Sequence, residues 1–445
     1  MTEKKTFNRW MVVIGALLIQ ISLGAIYIYS VFKPALKDNF PSWSNTDLAL
    51  PSQLVLAFFA LSMILAGRIQ DKVGPRPIAT IGGVLLGLGL VVAAFASNLF
   101  TFVLGFSIIG GIGIGAAYVC PIATCVKWFP DKRGLVTGLA VAGFGGGALV
   151  FTPVAKYFIA SFGIMNTFLY LGIIFLIAVV IGAQFMINPP AGYKPAGWNP
   201  PAAAAASAAN IKVDYTWQDM LKTSQFWLLW LTYFAGCTAG LMIIMNVTNV
   251  YQSYSLLNLA GKISPVSKDI FNAIISQGAT AVIIVSILNA IGRIGWGKIS
   301  DNIGRKGTLL LMFGYSGIIM LLLNWFTSYP LYLFGVASVG FCFGGFLALF
   351  PAVTADYFGT KNVGANYGWM FTAYGVGGLF GPWVAPKLMV IVQKISYETV
   401  DKAGAVVLRS FDAGNYMTSF IIAGVMCLLS AVLVLIIKAP SMKEN

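Results

Sequence analysis

Residues Phe271 to Lys306 read FNAIISQGATAVIIVSILNAIGRIGWGKISDNIGRK. The stretch opens as a long apolar helix, carries a lone cation, Arg293, deep within it, and closes in a short turn of Gly, Asp, Arg and Lys. A cation inside an apolar span is costly unless partners, water or snorkelling relieve it, so it marks function first. The closing turn, GKISDNIGRK from Gly297, has a near copy in GRIQDKVGPR from Gly67. One charge and one repeat therefore organise the whole chain.

The repeat extends well beyond the turn. At a constant offset of 230, Gly67 falls on Gly297, Asp71 on Asp301, Gly74 on Gly304 and Pro121 on Pro351. Gly134, Gly138, Gly145 and Gly147 likewise fall on Gly364, Gly368, Gly375 and Gly377. Chance glycine matches are common in such a sequence, but Asp and Pro matches at one offset are not. Parallel halves of six helices, with the substrate held at mid-membrane between them, are the internal symmetry of one transporter architecture.

Composition agrees. The chain of 445 residues is 58% hydrophobic and 9% charged, against ~25% charged in ordinary soluble domains. Its apolar runs are long enough to cross ~30 Å of hydrocarbon as helices. Spans are expected at about Trp10–Phe32, Leu48–Gly67, Ile78–Ser97, Phe100–Val126, Leu135–Tyr157 and Met165–Ile187. Six more fall near 226–251, 271–297, 308–326, 330–355, 365–390 and 415–437. The fold class is thus an all-α membrane protein of twelve transmembrane helices in two pseudo-symmetric six-helix bundles. The expected domains are residues 1–187, a cytoplasmic linker at 188–224, and residues 225–445. The linker is Pro/Ala-rich, which cannot form a core, and closes in DYTWQDMLKTSQF, read as a short interfacial amphipathic helix.

The net charge of +14 comes from basic residues scattered over short loops, which excludes a nucleic-acid-binding domain and fits the positive-inside rule. Most of the Lys and Arg lie on the side shared by both termini and the linker, which is therefore expected to be cytoplasmic, with the chain multi-pass in the cell (inner) membrane. The apolar run from Trp10 reads as a retained first helix and not a signal peptide. Five cysteines, all in apolar segments, read as packing residues, and there is no His, so no metal or cofactor is expected. Gly-X-Gly runs such as GGIGIG lie inside spans and are packing, not phosphate loops, so an enzyme is not expected.

The two turns GRIQDKVGPR and GKISDNIGRK resemble the signature loop of the major facilitator superfamily. Within it, YVCPIATCVKWFPDKRGLVTGLAVAGFGGGA (Tyr118 to Ala148), NPPAGY, TWQDMLKTSQFW, and Asn289 with Arg293 are similar to the oxalate/formate antiporter and monocarboxylate transporter group. The resemblance covers essentially the whole chain. It implies gating roles for Asp71, Arg76, Asp301 and Arg305, an anion-binding role for Arg293, and a monomer in the lipid bilayer.

The chemistry of Arg293 fits that role: a planar fork of five donors matches a carboxylate. Asn289, four residues earlier, shares its helix face and either donates to a second substrate oxygen or orients the guanidinium. The bland alternative is that Arg293 snorkels to the interface beyond Gly297. Its repeat partner is Met63, so the charge belongs to one half only. Tyr27 and Tyr118 are expected as hydroxyl donors, with Phe346, Phe371 and Tyr374 as apolar walls.

The family's oxalate carriers resemble one another in a lysine within the eleventh span, whereas YGWMFTAYGVGGLFGP has none. One buried cation balances one carboxylate. That favours a small monocarboxylate such as lactate, pyruvate, acetate or formate, with an oxalate/formate type of exchange as the alternative. All fourteen Asp and Glu lie in loops or at helix ends. The related animal carriers place an Asp where Asn289 stands. Both proton symport and anion exchange remain open, with symport expected from the monocarboxylate resemblance.

Overall fold

The computed structural model describes residues 8–190, 192–195, 197–198, 214–259, 262–400, 406–438 and 440. The alanine-rich middle of the expected linker, with Lys4 and Lys5, lies outside them. Among the described residues, ten helical runs are long and apolar enough to cross a membrane. The first, α1 (Trp10–Asn39), tightens into a 3-10 segment at Gly24–Ile28. It is followed by α2 (Asn45–Val73), α3 (Pro75–Ala94) and α4 (Leu99–Trp128). The run Arg133–Gln184 breaks at Gly163, φ 77°, into α5 before it and α6 after it.

The second half holds α7 (Ser224–Leu259), α8 (Lys268–Ile303), α9 (Arg305–Leu322) and α10 (Tyr329–Phe358). It ends with α11 (Val363–Leu388) and α12 (Met417–Ile436). With the break at Gly163 and with α11, the apolar runs make twelve helices in two bundles of six. Most helices extend past the apolar run by a turn or two; α2, for example, starts at a capping box where Ser44 Oγ accepts from Asp47 N and the Asp47 carboxylate accepts from Ser44 N at 2.8 Å. The expected amphipathic helix is a single turn, Trp217–Leu221.

Both signature turns are built on the same backbone device. Gly74 (φ 96°) and Gly304 (φ 84°) end α2 and α8 in a conformation that side chains avoid, and the next residue starts α3 or α9.

One element departs from the all-α expectation. Strands β1 (Val390–Val400) and β2 (Val406–Asn415) form an antiparallel hairpin between α11 and α12. The hairpin is tied to the loop before α8, where Val266 N donates to the Ser396 carbonyl and Glu398 N donates to the Val266 carbonyl, both at 2.9 Å. Phe271 stacks on Tyr397 with ring centroids 3.7 Å apart. The cause is local: Val390, Ile391, Val392, Ile395, Thr399, Val406 and Val407 favour strand, while Gln393, Lys394, Glu398, Arg409 and Asp412 keep the segment from spanning a bilayer.

Candidate functional site

The halves meet where glycine lets two backbones touch. A Cβ at Gly138 in α5 would collide with the Arg293 carbonyl in α8, and one at Gly368 in α11 with the Met63 carbonyl in α2. These two crossings are 230 residues apart on both partners, so the repeat seen in sequence is a repeat in space.

Arg293 is 2% exposed, the only charged residue in the buried core among the described residues. It does not snorkel. Its Nη1 donates to the Val141 carbonyl of α5 at 2.5 Å and its Nε donates to Asn289 Oδ1 at 3.1 Å. Asn289 Nδ2 in turn donates to the Gly340 carbonyl of α10 at 3.1 Å. Of the two uses expected of Asn289, this geometry supplies orientation: one end grips the guanidinium and the other is anchored. Gly145 explains how the fork reaches α5, since a Cβ there would sit 2.8 Å from the guanidinium carbon. Among the described residues no carboxylate pairs with Arg293. It is a buried cation partnered by dipoles.

Aromatic rings gather between the halves. Tyr118 in α4 lies 4.9 Å from Phe144, 5.0 Å from Phe59 and 5.4 Å from Phe371, centroid to centroid. Phe371 stacks on Tyr374 at 4.7 Å, and the Tyr374 and Tyr27 hydroxyls share a hydrogen bond of 3.0 Å across the halves. Tyr27 also meets Phe144 edge-on at 5.2 Å. So Tyr27, Tyr118, Phe371 and Tyr374 are brought together. Phe346 is not with them: it stacks on Phe313 of α9 at 4.4 Å, inside the second half. Phe59 and Phe144 were missed, because isolated Phe residues carry no signal in so aromatic a chain. Gly145 was visible only as one glycine of GFGGG.

The gating residues sit at the end of the bundle that carries the signature turns. The Asp301 carboxylate accepts from the Gly134 and Leu135 amides at the start of α5, at 2.9 and 2.8 Å, and from Arg305 Nη1 at 2.8 Å. Asp71 accepts from the Ala365 amide at the start of α11 at 2.8 Å. Each carboxylate thus caps a helix of the opposite half, where the amides and the dipole favour an anion. Arg305 Nε donates to Asp356 at 2.8 Å, and Asp356 also pairs with Arg133 of the other half. Arg76 does something else. Its Nη2 donates to the Gln184 carbonyl at the end of α6 at 2.7 Å, as Lys306 donates to Leu435 at the end of α12 at 2.5 Å. Those two are the repeat-related pair, and Arg305 belongs to the charge network instead. Arg133 and Asp356 were missed because neither lies in the signature turns.

The sequence profile of the Major Facilitator Superfamily matches residues 10–382 and 263–445. The chain is 27% identical over 384 residues to the oxalate:formate antiporter of Oxalobacter formigenes, covering 84% of this chain and 83% of that protein. It is 26% identical over 412 residues to monocarboxylate transporter 2 of Rattus norvegicus, covering 90% and 81%. The solved proton:xylose symporter XylE, bound to 6-bromo-6-deoxy-D-glucose, superposes with a TM-score of 0.66 at 16% identity, over 97% of this chain and 96% of that one, a likeness of fold.

Proposed function

The chain belongs to the Major Facilitator Superfamily, and on that premise we propose a secondary transporter that moves a small monocarboxylate, of the lactate, pyruvate or formate kind, by alternating access. Its relatives are transporters and not enzymes. The observation that carries the reading is the fork-shaped cation Arg293, among the described residues the single charge of the core, held by Asn289 and Val141 with no described carboxylate against it. A carboxylate would supply the missing charge, and Tyr118, Tyr27 and Tyr374 would offer hydroxyls to its oxygens within walls formed by Phe371, Phe59 and Phe144. The halves, residues 1–187 and 225–445, would rock about the linker at 188–224 as a monomer in the cell membrane, with termini and linker in the cytoplasm. Asp71, Asp301 and Arg305 would hold one end shut in turn.

Proton symport is the preferred coupling, in keeping with the monocarboxylate relatives. Exchange is the second reading, favoured by one observation: neither partner of Arg293 can titrate.

Uptake of labelled lactate, and separately of oxalate, into proteoliposomes with an inward proton gradient tests both. Gradient-driven lactate uptake, abolished by Arg293→Ala, is expected. Oxalate uptake that requires internal formate and ignores the gradient would establish exchange and defeat the one-cation argument.

A further inference from the structure

Two cations stand together at the end of α2 with no carboxylate to balance them. Arg68 and Lys72 are both exposed and lie four residues apart on one helix face, a spacing at which like charges repel. Asp71 falls between them in sequence, but Lys127 pairs with it at 3.4 Å and the Ala365 amide takes its other oxygen. Among the described residues neither Arg68 nor Lys72 forms an ion pair. Nor does the repeat preserve the pair: at the offset of 230, Lys298 stands for Arg68 and Asn302 for Lys72.

The two cations open onto a cleft of about 230 Å³, walled by Trp217 and Gln218 of the linker end and by Asn362 and Ala365 at the start of α11. A water takes up ~30 Å³, so a small anion fits. The wall is firmly built. Tyr215 N donates to the Phe358 carbonyl at 3.0 Å, and the Tyr215 carbonyl accepts from the side chains of Asn362 and Asn366 at 3.0 and 3.1 Å. Asp214 accepts from the Lys361 backbone amide at 3.0 Å. These four bonds fasten the linker end to the turn between α10 and α11. Trp217 then stacks on Trp369 at 5.6 Å, with the Arg68 guanidinium carbon 6.0 Å from the centre of its ring. One wall belongs to each half.

We propose that this cleft is a regulatory site for a small soluble dianion, of the phosphate or dicarboxylate kind, held between Arg68 and Lys72. Two unbalanced cations match two negative charges, as the one cation at Arg293 matches one. Arg68 supplies a fork and Lys72 a point charge, both suited to such oxygens. The bound anion touches both halves beside the Asp71–Ala365 bond. It therefore favours the arrangement in which that bond is made, and slows the carrier from the face of the signature turns. The effect on transport rests on the reading of the chain as an alternating-access carrier; the binding does not.

The full-length protein in phosphatidylcholine nanodiscs, with inorganic phosphate at mildly alkaline pH as the dianion, tests the site. Exchange of the Ala365 amide should slow fivefold or more relative to sodium chloride of equal ionic strength. In Arg68→Gln/Lys72→Asn phosphate should change that exchange by less than twofold, while the swapped pair Arg68→Lys/Lys72→Arg should keep the slowing. Equal slowing by chloride would reduce the effect to screening and overturn the proposal. Slowing that survives in Arg68→Gln/Lys72→Asn would put the anion elsewhere and overturn it too. Slowing by phosphatidic acid in the disc, but not by free phosphate, would make the cleft a lipid contact, with the same result. In proteoliposomes, phosphate confined to the face of the signature turns should lower lactate uptake at least threefold in the wild type and not in Arg68→Gln/Lys72→Asn. Uptake untouched by phosphate that does slow the exchange would overturn the regulatory role. If the wild type carries no lactate, the substrate reading fails, and the exchange rates still decide the site.

Discussion

Replacing Arg293 with lysine keeps the charge and loses the fork. Lysine cannot reach Asn289 and Val141 together, so Arg293→Lys should lower the initial rate of uptake roughly 10- to 100-fold at an unchanged amount of carrier in the membrane. Gly145→Ala tests the same geometry from the other side. Its methyl would lie 2.8 Å from the guanidinium, and overpacking of about 1–3 kcal/mol should weaken substrate affinity by tenfold or more without unfolding the protein, as read by binding and by thermal stability in detergent. Asn289→Asp puts an acid 3.1 Å from Arg293 Nε. The substrate must then compete with an internal carboxylate, so uptake at neutral pH should fall and recover on acidification as that carboxyl protonates, a rise with falling pH steeper than in the wild type. At this scale the sequence revealed the cation and its orienting amide, because charge in an apolar run is conspicuous. It did not reveal the Val141 carbonyl, since a backbone acceptor has no letter of its own, nor could it separate Phe346 from Phe371 when both are rings on helices facing the interior.

Helix ends carry the contact between the halves. Asp301→Asn removes the charge that caps α5 and pairs with Arg305. The contact should weaken by roughly 2 kcal/mol, and hydrogen exchange of the Gly134 and Leu135 amides should speed by more than tenfold. The signature turns were readable because their Asp and Gly recur at a fixed spacing and because Gly74 and Gly304 must turn with positive φ. Arg76 stands apart from the other gating candidates: similarity of the turns aligns it with gating, while the offset of 230 aligns it with Lys306, and both donate to the end of a neighbouring helix. The hairpin was unreadable for a different reason. Reading by hydropathy extends α11 to residue 390 and starts α12 at 415, so the strands between them fall below the threshold of attention, although Val266 and Phe271 hold them firmly.

Across the whole molecule the twelve spans were legible because each must be apolar for about twenty residues, and the duplication gave their arrangement. The expected orientation can be checked directly. A fluorescent protein fused after Asn445 should fold in the cytoplasm, and alkaline phosphatase inserted within the β1–β2 hairpin should be active outside; the reverse pattern would invert the carrier. The repeat is also incomplete in one respect that matters electrically. Arg293 has Met63 as its counterpart, and no acid in the described core offsets it. If the halves rock as proposed, an empty cycle would carry a lone positive charge through some part of the transmembrane field, where a full crossing is worth about 2.3 kcal/mol per 100 mV. In the exchange reading a bound monocarboxylate would cancel that charge; in proton symport the accompanying proton would restore it. Exchange would therefore leave the loaded step electrically silent and only the empty step sensitive to membrane voltage, acting on one unmatched residue, whereas symport would make both steps carry one charge.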